Sequence, residues 1–113
     1  MEDCIFCKIA SGEIGQLIYE DDLSVAFHDV NPQAPVHILV VPKEHIEKLD
    51  QTDESHKMLL GHLLIVANRV AKEKGIADNG YRVVLNNGVS AGQSVWHVHV
   101  HVLGGREMRW PPG

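Results

Sequence analysis

The chain predicts an antiparallel α+β domain. Five short apolar segments have strand character and are joined mostly by turns, one long segment has helical periodicity, and 113 residues leave room for a core but only one domain, 1–113. Segment 4–10 (CIFCKIA) has apolar residues three and four apart and is followed by Gly12, which reads as a short helix with a glycine stop. Segments 17–20 (LIYE) and 24–28 (SVAFH) read as strands joined through Asp21-Asp22. Asn31-Pro32-Gln33-Ala34-Pro35 is a turn, since two prolines deny ladder donors. Segment 37–41 (HILVV) is a strand stopped by Pro42, and 43–49 is one helical turn or a loop. The long helix follows, with Thr52 or Asp53 as cap and Asp53-Glu54 at its positive end. Leu59, Leu60, Leu63, Leu64, Val66, Ala67, Val70 and Ala71 form its core stripe, and Gly75 stops it. Segment 81–86 is the fourth strand, 87–93 a loop, and 94–103 the last strand, ended by Gly104-Gly105 and a tail to Gly113.

Lys and Arg number 10 against 15 Asp and Glu, a formal net charge of −5. An acidic chain is unsuited to non-specific nucleic-acid binding, which is phosphate neutralisation, and 5% aromatics leave little for a stacking platform. A pocket for one nucleotide remains compatible with this charge. No segment approaches the roughly 18 apolar residues of a membrane helix. The opening Met1-Glu2-Asp3-Cys4 has no charged-then-apolar signal. The expectation is a cytoplasmic protein with neither nucleic acid nor membrane as partner. Cys4-x-x-Cys7 does not suit a disulfide in a reducing compartment, and no strand precedes it as in a thioredoxin-type pair. Half a zinc site and two ordinary small apolar residues both remain open.

Histidine is the anomaly: eight in all, three of them alternating as His97-Val98-His99-Val100-His101. On a strand the three face one way, and Trp96, Val98, Val100 and Val102 face the other, onto a core. Neighbours two apart lie about 6.6 Å apart, so the outer two are roughly 13 Å apart and one ion cannot take all three. The row suits a catalytic face in which the central histidine acts directly. The preceding loop, Asn86-Asn87-Gly88-Val89-Ser90-Ala91-Gly92-Gln93-Ser94, is rich in glycine and amides that let backbone N–H groups approach an anion. An ordinary hairpin loop would have the same composition. A phosphate cradle becomes the stronger reading because the loop feeds directly into the histidine row. No P-loop lysine pattern or acidic pair stands nearby, so no catalytic metal is expected. Neutral imidazole can attack phosphorus, and the phospho-histidine formed is itself a P–N compound, so nitrogen leaving groups exchange near energetic balance.

Segment 97–103 (HVHVHVL) resembles the histidine-triad motif. Phe27-His28-Asp29-Val30-Asn31-Pro32, His37, Pro42-Lys43-Glu44-His45, Leu60-Gly61-His62-Leu63 and Ala91-Gly92-Gln93-Ser94-Val95 look like that family's landmarks in order. The tail 104–113, ending Trp110-Pro111-Pro112-Gly113, is similar to that of the histidine-triad nucleotide-binding branch. The resemblance covers essentially the whole chain. It implies a five-stranded antiparallel sheet with one long and one short helix, extended across a two-fold homodimer. It also implies hydrolysis of purine nucleoside 5′-phosphoramidates (AMP or GMP class, including nucleotidyl-lysine adducts) through a covalent nucleotidyl-histidine. By that resemblance His99 is the nucleophile, with His37 behind it. His101 binds the α-phosphate, and Ser94 contacts the phosphate and the leaving nitrogen. Asn86, Gly92 and Val95 complete the cradle. Asp29 and Val30 hold the ribose, and Phe6, Ile9, Phe27 and Leu39 line the base pocket. Trp110 acts on the leaving-group side. The alternatives are that Phe27 and Leu39 are plain core and Asp29 only a turn residue.

Cys4, Cys7, His45 and His97 match the structural zinc site of bacterial relatives. A dinucleoside-polyphosphate hydrolase, against which the short tail speaks, and a nucleotidyltransferase, against which His101 speaks, are the nearest rivals. A nucleotide-binding regulatory module with incidental turnover, and a small zinc protein whose histidines are ligands, are further alternatives. An open edge strand, with 81–85 and the end of the long helix as interface pieces, also points to a dimer.

Overall fold

The structure, a computed structural model, describes residues 3–113. Met1 and Glu2, on which the reading of the chain's opening partly rests, lie outside them. Helix α1, Ile5–Ala10, is capped by Cys4, whose Sγ accepts the Cys7 N–H at 3.3 Å. Gly12 follows at φ 84°, the left-handed conformation that turns the chain away. The strands are β1 Tyr19–Glu20, β2 Ser24–His28, β3 Val36–Pro42, β4 Tyr81–Val84 and β5 Val100–Gly104. They form one antiparallel sheet in the order β1-β2-β3-β5-β4. Helix α2, Lys57–Glu73, is entered through a 3₁₀ turn, Glu54–His56, at whose start Asp53 accepts from Ser55 N and donates its own N–H to His56 Nδ1. Gly75, at φ 75°, ends it as expected.

The period-two alternation of β3 and β5 divides the core. Ala26, Ile38, Val40, Val98, Val100 and Val102 meet Leu63, Val66, Ala67, Val70 and Ala71 of α2 on one face. Val25, Phe27, Leu39 and Val41 meet Phe6 and Ala10 of α1 on the other. Among the described residues no helix is long and apolar enough to cross a membrane.

Four expectations are corrected. The last strand begins at Val100, not residue 94, so His97 and His99 lie outside the ladder. The register Val40↔Val100 would next set Val98 opposite Pro42, which has no N–H to give. Val98 N instead donates to Ile46 O at 2.7 Å. Trp96 does not share the valines' core and is 42% exposed. Leu64, counted in the helical core stripe, is exposed, and Leu59 and Leu60 are only partly buried. The first and fourth strands are shorter than the sequence predicts.

His62 on α2, left unassigned by the sequence, is tied to the β1–β2 turn. Its Nε2 and the Tyr19 hydroxyl each lie 2.7 Å from Asp21 Oδ2. Asp21 Oδ1 accepts from Leu23 N and Ser24 N, both at 2.8 Å. Burial alone would raise this carboxyl. Hydrogen bonds from Tyr19, Leu23, His62 and Ser24 outweigh burial and hold it well below the usual carboxylate range. Because the folded value lies below the unfolded one, the stabilisation is complete above the unfolded value and is lost as pH falls through the folded one. Urea unfolding from pH 7 down to pH 2 is therefore expected to show stability declining below about pH 5. Asp21→Asn should cost about 1–3 kcal/mol at pH 7 and flatten part of that decline.

Candidate functional site

The register places the histidines. Leu39 opposes His101 and His37 opposes Leu103, so His37 and His101 are diagonal neighbours on the sheet face away from α2. His37 Nε2 lies 2.9 Å from His101 Nδ1 and 3.4 Å from Asp29 Oδ2. The His99 and His101 ring centroids are 5.0 Å apart. The Phe6 ring stands edge-on to His99 at 5.1 Å and to Phe27 at 5.4 Å.

A carbonyl can only accept, so each ring nitrogen that meets one must carry hydrogen. His99 Nδ1 donates to His97 O at 2.7 Å, which leaves Nε2 of neutral His99 as a bare lone pair. His97 Nε2 donates to Pro42 O at 2.8 Å, which leaves its Nδ1 bare. Burial lowers the pKa of His99 against the His97 carbonyl and the charge of Asp29, which raise it. Burial, then His99 and His37, push His101 down to about 4. His37 is also lowered by burial, against Asp29. The face is thus neutral imidazole near pH 7, the state a nucleophile requires.

The bare Nδ1 of His97 meets thiols. Cys4 Sγ is 3.2 Å from it and Cys7 Sγ 3.5 Å, while Cys7 Sγ is 3.3 Å from His45 Nδ1. All four ligand atoms lie within 4.8 Å of one another. Donors around a tetrahedral zinc ion sit roughly 3.3–3.8 Å apart, so the donor set and its spacing fit zinc. Burial, and then the neighbouring Cys4, raise the Cys7 thiol to about 11, so metal uptake would have to displace a proton. Asp29, His37 and His101 form a second close group.

Other expected residues are placed as follows. Phe6, Phe27 and Leu39 are buried together, with Ile9 packed against them, so the expected base-pocket residues are in contact beside His99. Asp29 Oδ1 accepts from Asn31 N at 2.8 Å, as a turn residue does, while Oδ2 faces His37. Val30 is fully exposed. Asn86 is half-buried just after β4, and Gly92 has φ 96°. Ser94 and Val95 line a cavity of about 480 Å³ whose wall includes Cys4, His45, Glu47 and Trp96. Trp110 is exposed, with the Arg82 guanidinium 5.9 Å from its ring centre. A larger cavity, about 940 Å³, is lined by Ile76, Arg82, Arg106 and Met108 and holds none of the expected residues.

Gln93 is a structural residue of the site to which the sequence assigned no role. It is buried, its Oε1 accepts from Gly88 N at 2.9 Å, and its Nε2 donates to Glu47 O at 2.7 Å and Val95 O at 3.0 Å. One amide closes the glycine loop on itself and ties it to segment 45–47. The only available signal was a long amide in a loop of small residues. Gln93→Ala is expected to cost about 1–3 kcal/mol in urea unfolding. Gln93→Glu should cost at least as much, since a carboxylate has no N–H for the two carbonyls.

Similarity to known proteins agrees with this geometry. The HIT domain family matches residues 12–108. The 14 kDa zinc-binding protein of Zea mays is 54% identical over 112 residues, covering 96% of this chain and 87% of that protein. The crystal structure of a HIT family hydrolase from Legionella pneumophila superposes with a TM-score of 0.95 at 46% identity, covering 98% of this chain and 100% of that one. A histidine triad nucleotide-binding protein from Candida albicans superposes at 0.79 with 34% identity, covering 96% of this chain and 83% of that one. The chain belongs to the HIT domain family.

Proposed function

We propose that this protein hydrolyses purine nucleoside 5′-phosphoramidates through a covalent nucleotidyl-His99. The observation that carries the reading is the hydrogen bond from His99 Nδ1 to His97 O, which leaves a bare Nε2 on a buried, neutral imidazole. That nitrogen attacks the α-phosphorus. A P–N bond to His99 forms as the P–N bond to the leaving amine breaks, and the amine departs with a proton drawn from solvent water and relayed through the Ser94 hydroxyl. Water then attacks the phosphorus and gives a proton back to solvent, the P–N bond to His99 breaks with its electron pair returning to Nε2, and the nucleoside monophosphate leaves. His101, beside His99, donates to the phosphate, and the amide-rich loop with Asn86, Gly92 and Val95 supplies further donors. Asp29 and Val30 take the ribose. Phe6, Ile9, Phe27 and Leu39 take the base by opening a cluster that is packed in the free chain.

His99→Ala is expected to lower turnover of adenosine phosphoramidate by several orders of magnitude while AMP binding, read by calorimetry, persists. His101→Ala should lose less, because the nucleophile remains. Added Mg²⁺ should change neither rate. Full activity in His99→Ala would overturn the mechanism, and a strong preference for diadenosine polyphosphates would favour the rival hydrolase.

Cys4, Cys7, His45 and His97 are assigned as a structural zinc site, supported by their spacing and by the zinc-binding protein of Zea mays. Zinc would join α1 to the segments before and after the ladder and add folding stability. Elemental analysis of untagged protein should find about one zinc per chain, with Cys7→Ala losing it and melting lower. Zinc-free protein whose melting ignores chelators would retire the site.

The working form is read as a two-fold dimer. β4 is an edge strand with Val83 exposed, and α2 presents Met58, Leu64 and Ile65 to solvent. In such a dimer Trp110 would tune the leaving-group side of the partner's site. Light scattering should return twice the chain mass at micromolar concentration, and Leu64→Glu should shift it toward the monomer. Neither cysteine is in a disulfide, which fits a cytoplasmic protein.

A further inference from the structure

His97 and His99 take their tautomer from a carbonyl, but His37 takes its tautomer from an amide. Gln33 N–H donates to His37 Nδ1 at 3.0 Å. That nitrogen must therefore be a bare acceptor, and Nε2 of the neutral ring carries the hydrogen. Nε2 faces His101 Nδ1 at 2.9 Å and Asp29 Oδ2 at 3.4 Å. Donation to His101 Nδ1 leaves His101's own hydrogen on Nε2. By separation alone Asp29, His37 and His101 could hold a cation. With His37 Nε2 protonated, the group is a chain of hydrogen bonds instead.

The Gln33 turn is itself held from the far end of the sequence. Arg106 Nε donates to Gln33 O at 3.0 Å, and Arg106 Nη1 to Glu107 O at 3.0 Å. Gly105, at φ 90°, packs so closely that a Cβ there would lie 2.9 Å from Pro35 Cβ. On the turn's other side Gln33 Nε2 donates to Asn31 O at 3.0 Å. Burial keeps both His37 and His101 below the ordinary histidine value, so each has a single hydrogen to place near pH 7.

We propose that the main-chain amide of Gln33, held in place by Arg106 from the C-terminal tail, sets the tautomers of His37 and His101, so that His101 offers an N–H rather than a lone pair to the phosphate. Gln33 and Arg106 are positioning residues: they act through His37 and His101. The role of His101 toward phosphate rests on the function proposed above, whereas the tautomers do not.

The test is long-range ¹H–¹⁵N correlation of histidine-labelled protein at pH 7, with steady-state kinetics on adenosine phosphoramidate. The wild-type chain should show Nε2–H on both His37 and His101. Gln33→Pro, which lacks the donor, should give His37 an Nδ1–H population and lower kcat about tenfold with KM little changed. Arg106→Ala should move both readouts the same way by less, and Arg106→Lys, which can still donate to the Gln33 carbonyl, should restore them. If Gln33→Pro fails to fold, the Arg106 pair carries the test. Nδ1–H on wild-type His37, or tautomers unchanged in both Gln33→Pro and Arg106→Ala, would overturn the proposal. Expected tautomers in a protein that never turns over phosphoramidates would sink the functional reading and leave the tautomer assignment standing.

Discussion

The site depends on one residue held at both ends. His97 Nε2 donates to Pro42 O at 2.8 Å, and His97 O accepts from His99 Nδ1 at 2.7 Å. The first contact fixes the His97 ring and turns its Nδ1 toward Cys4 and Cys7. The second fixes the His99 ring and leaves its Nε2 without a hydrogen. His97 is fully buried, so neither bond competes with water, and losing either would leave a polar atom without a partner in the core. Among the described residues no buried side-chain nitrogen or oxygen lacks a partner, so the network is closed.

The break in the ladder follows from Pro42. A proline opposite Val98 cannot supply a rung, and its carbonyl is free to take a side chain instead. The chain therefore enters the sheet only at Val100, after His97 and His99 have been placed by other bonds. The His99 and His101 rings meet at 5.0 Å. The valines between them still obey the period of two and fill the α2 face, which keeps the row on the opposite side.

This division explains what the sequence could and could not disclose. The alternation of valine and histidine correctly separates the core face from the histidine face, and helical spacing correctly picks Leu63, Val66, Ala67, Val70 and Ala71. Leu64 and Trp96 misled because an apolar residue at the margin of a stripe has no address until its neighbours are placed. Cys4 and Cys7 were legible as a pair but ambiguous in purpose, since a ligand set closes only in three dimensions: His45 is 38 residues from Cys7, and His97 is 90. Gln93 and Gln33 were invisible as site residues for a different reason. Gln93 acts on backbone carbonyls and Gln33 through its own backbone amide, and backbone partners leave no pattern in side-chain identity.

The histidine row is best understood as three environments and not one. His97 ends in a thiol cluster, His99 in a bare nitrogen beside the Phe6 ring, and His101 in a hydrogen-bonded chain with His37 and Asp29. Burial acts on all three in the same direction, lowering each below the ordinary histidine value. What separates them is the acceptor or donor that each ring meets: a carbonyl of Pro42, a carbonyl of His97, and a ring nitrogen of His37. Each partner is held in turn, the first at the end of β3, the second by the side chain of His97, the third by the turn at Gln33. Three chemically identical side chains two residues apart can thus carry three different chemistries, and the difference is set by the partner each ring meets.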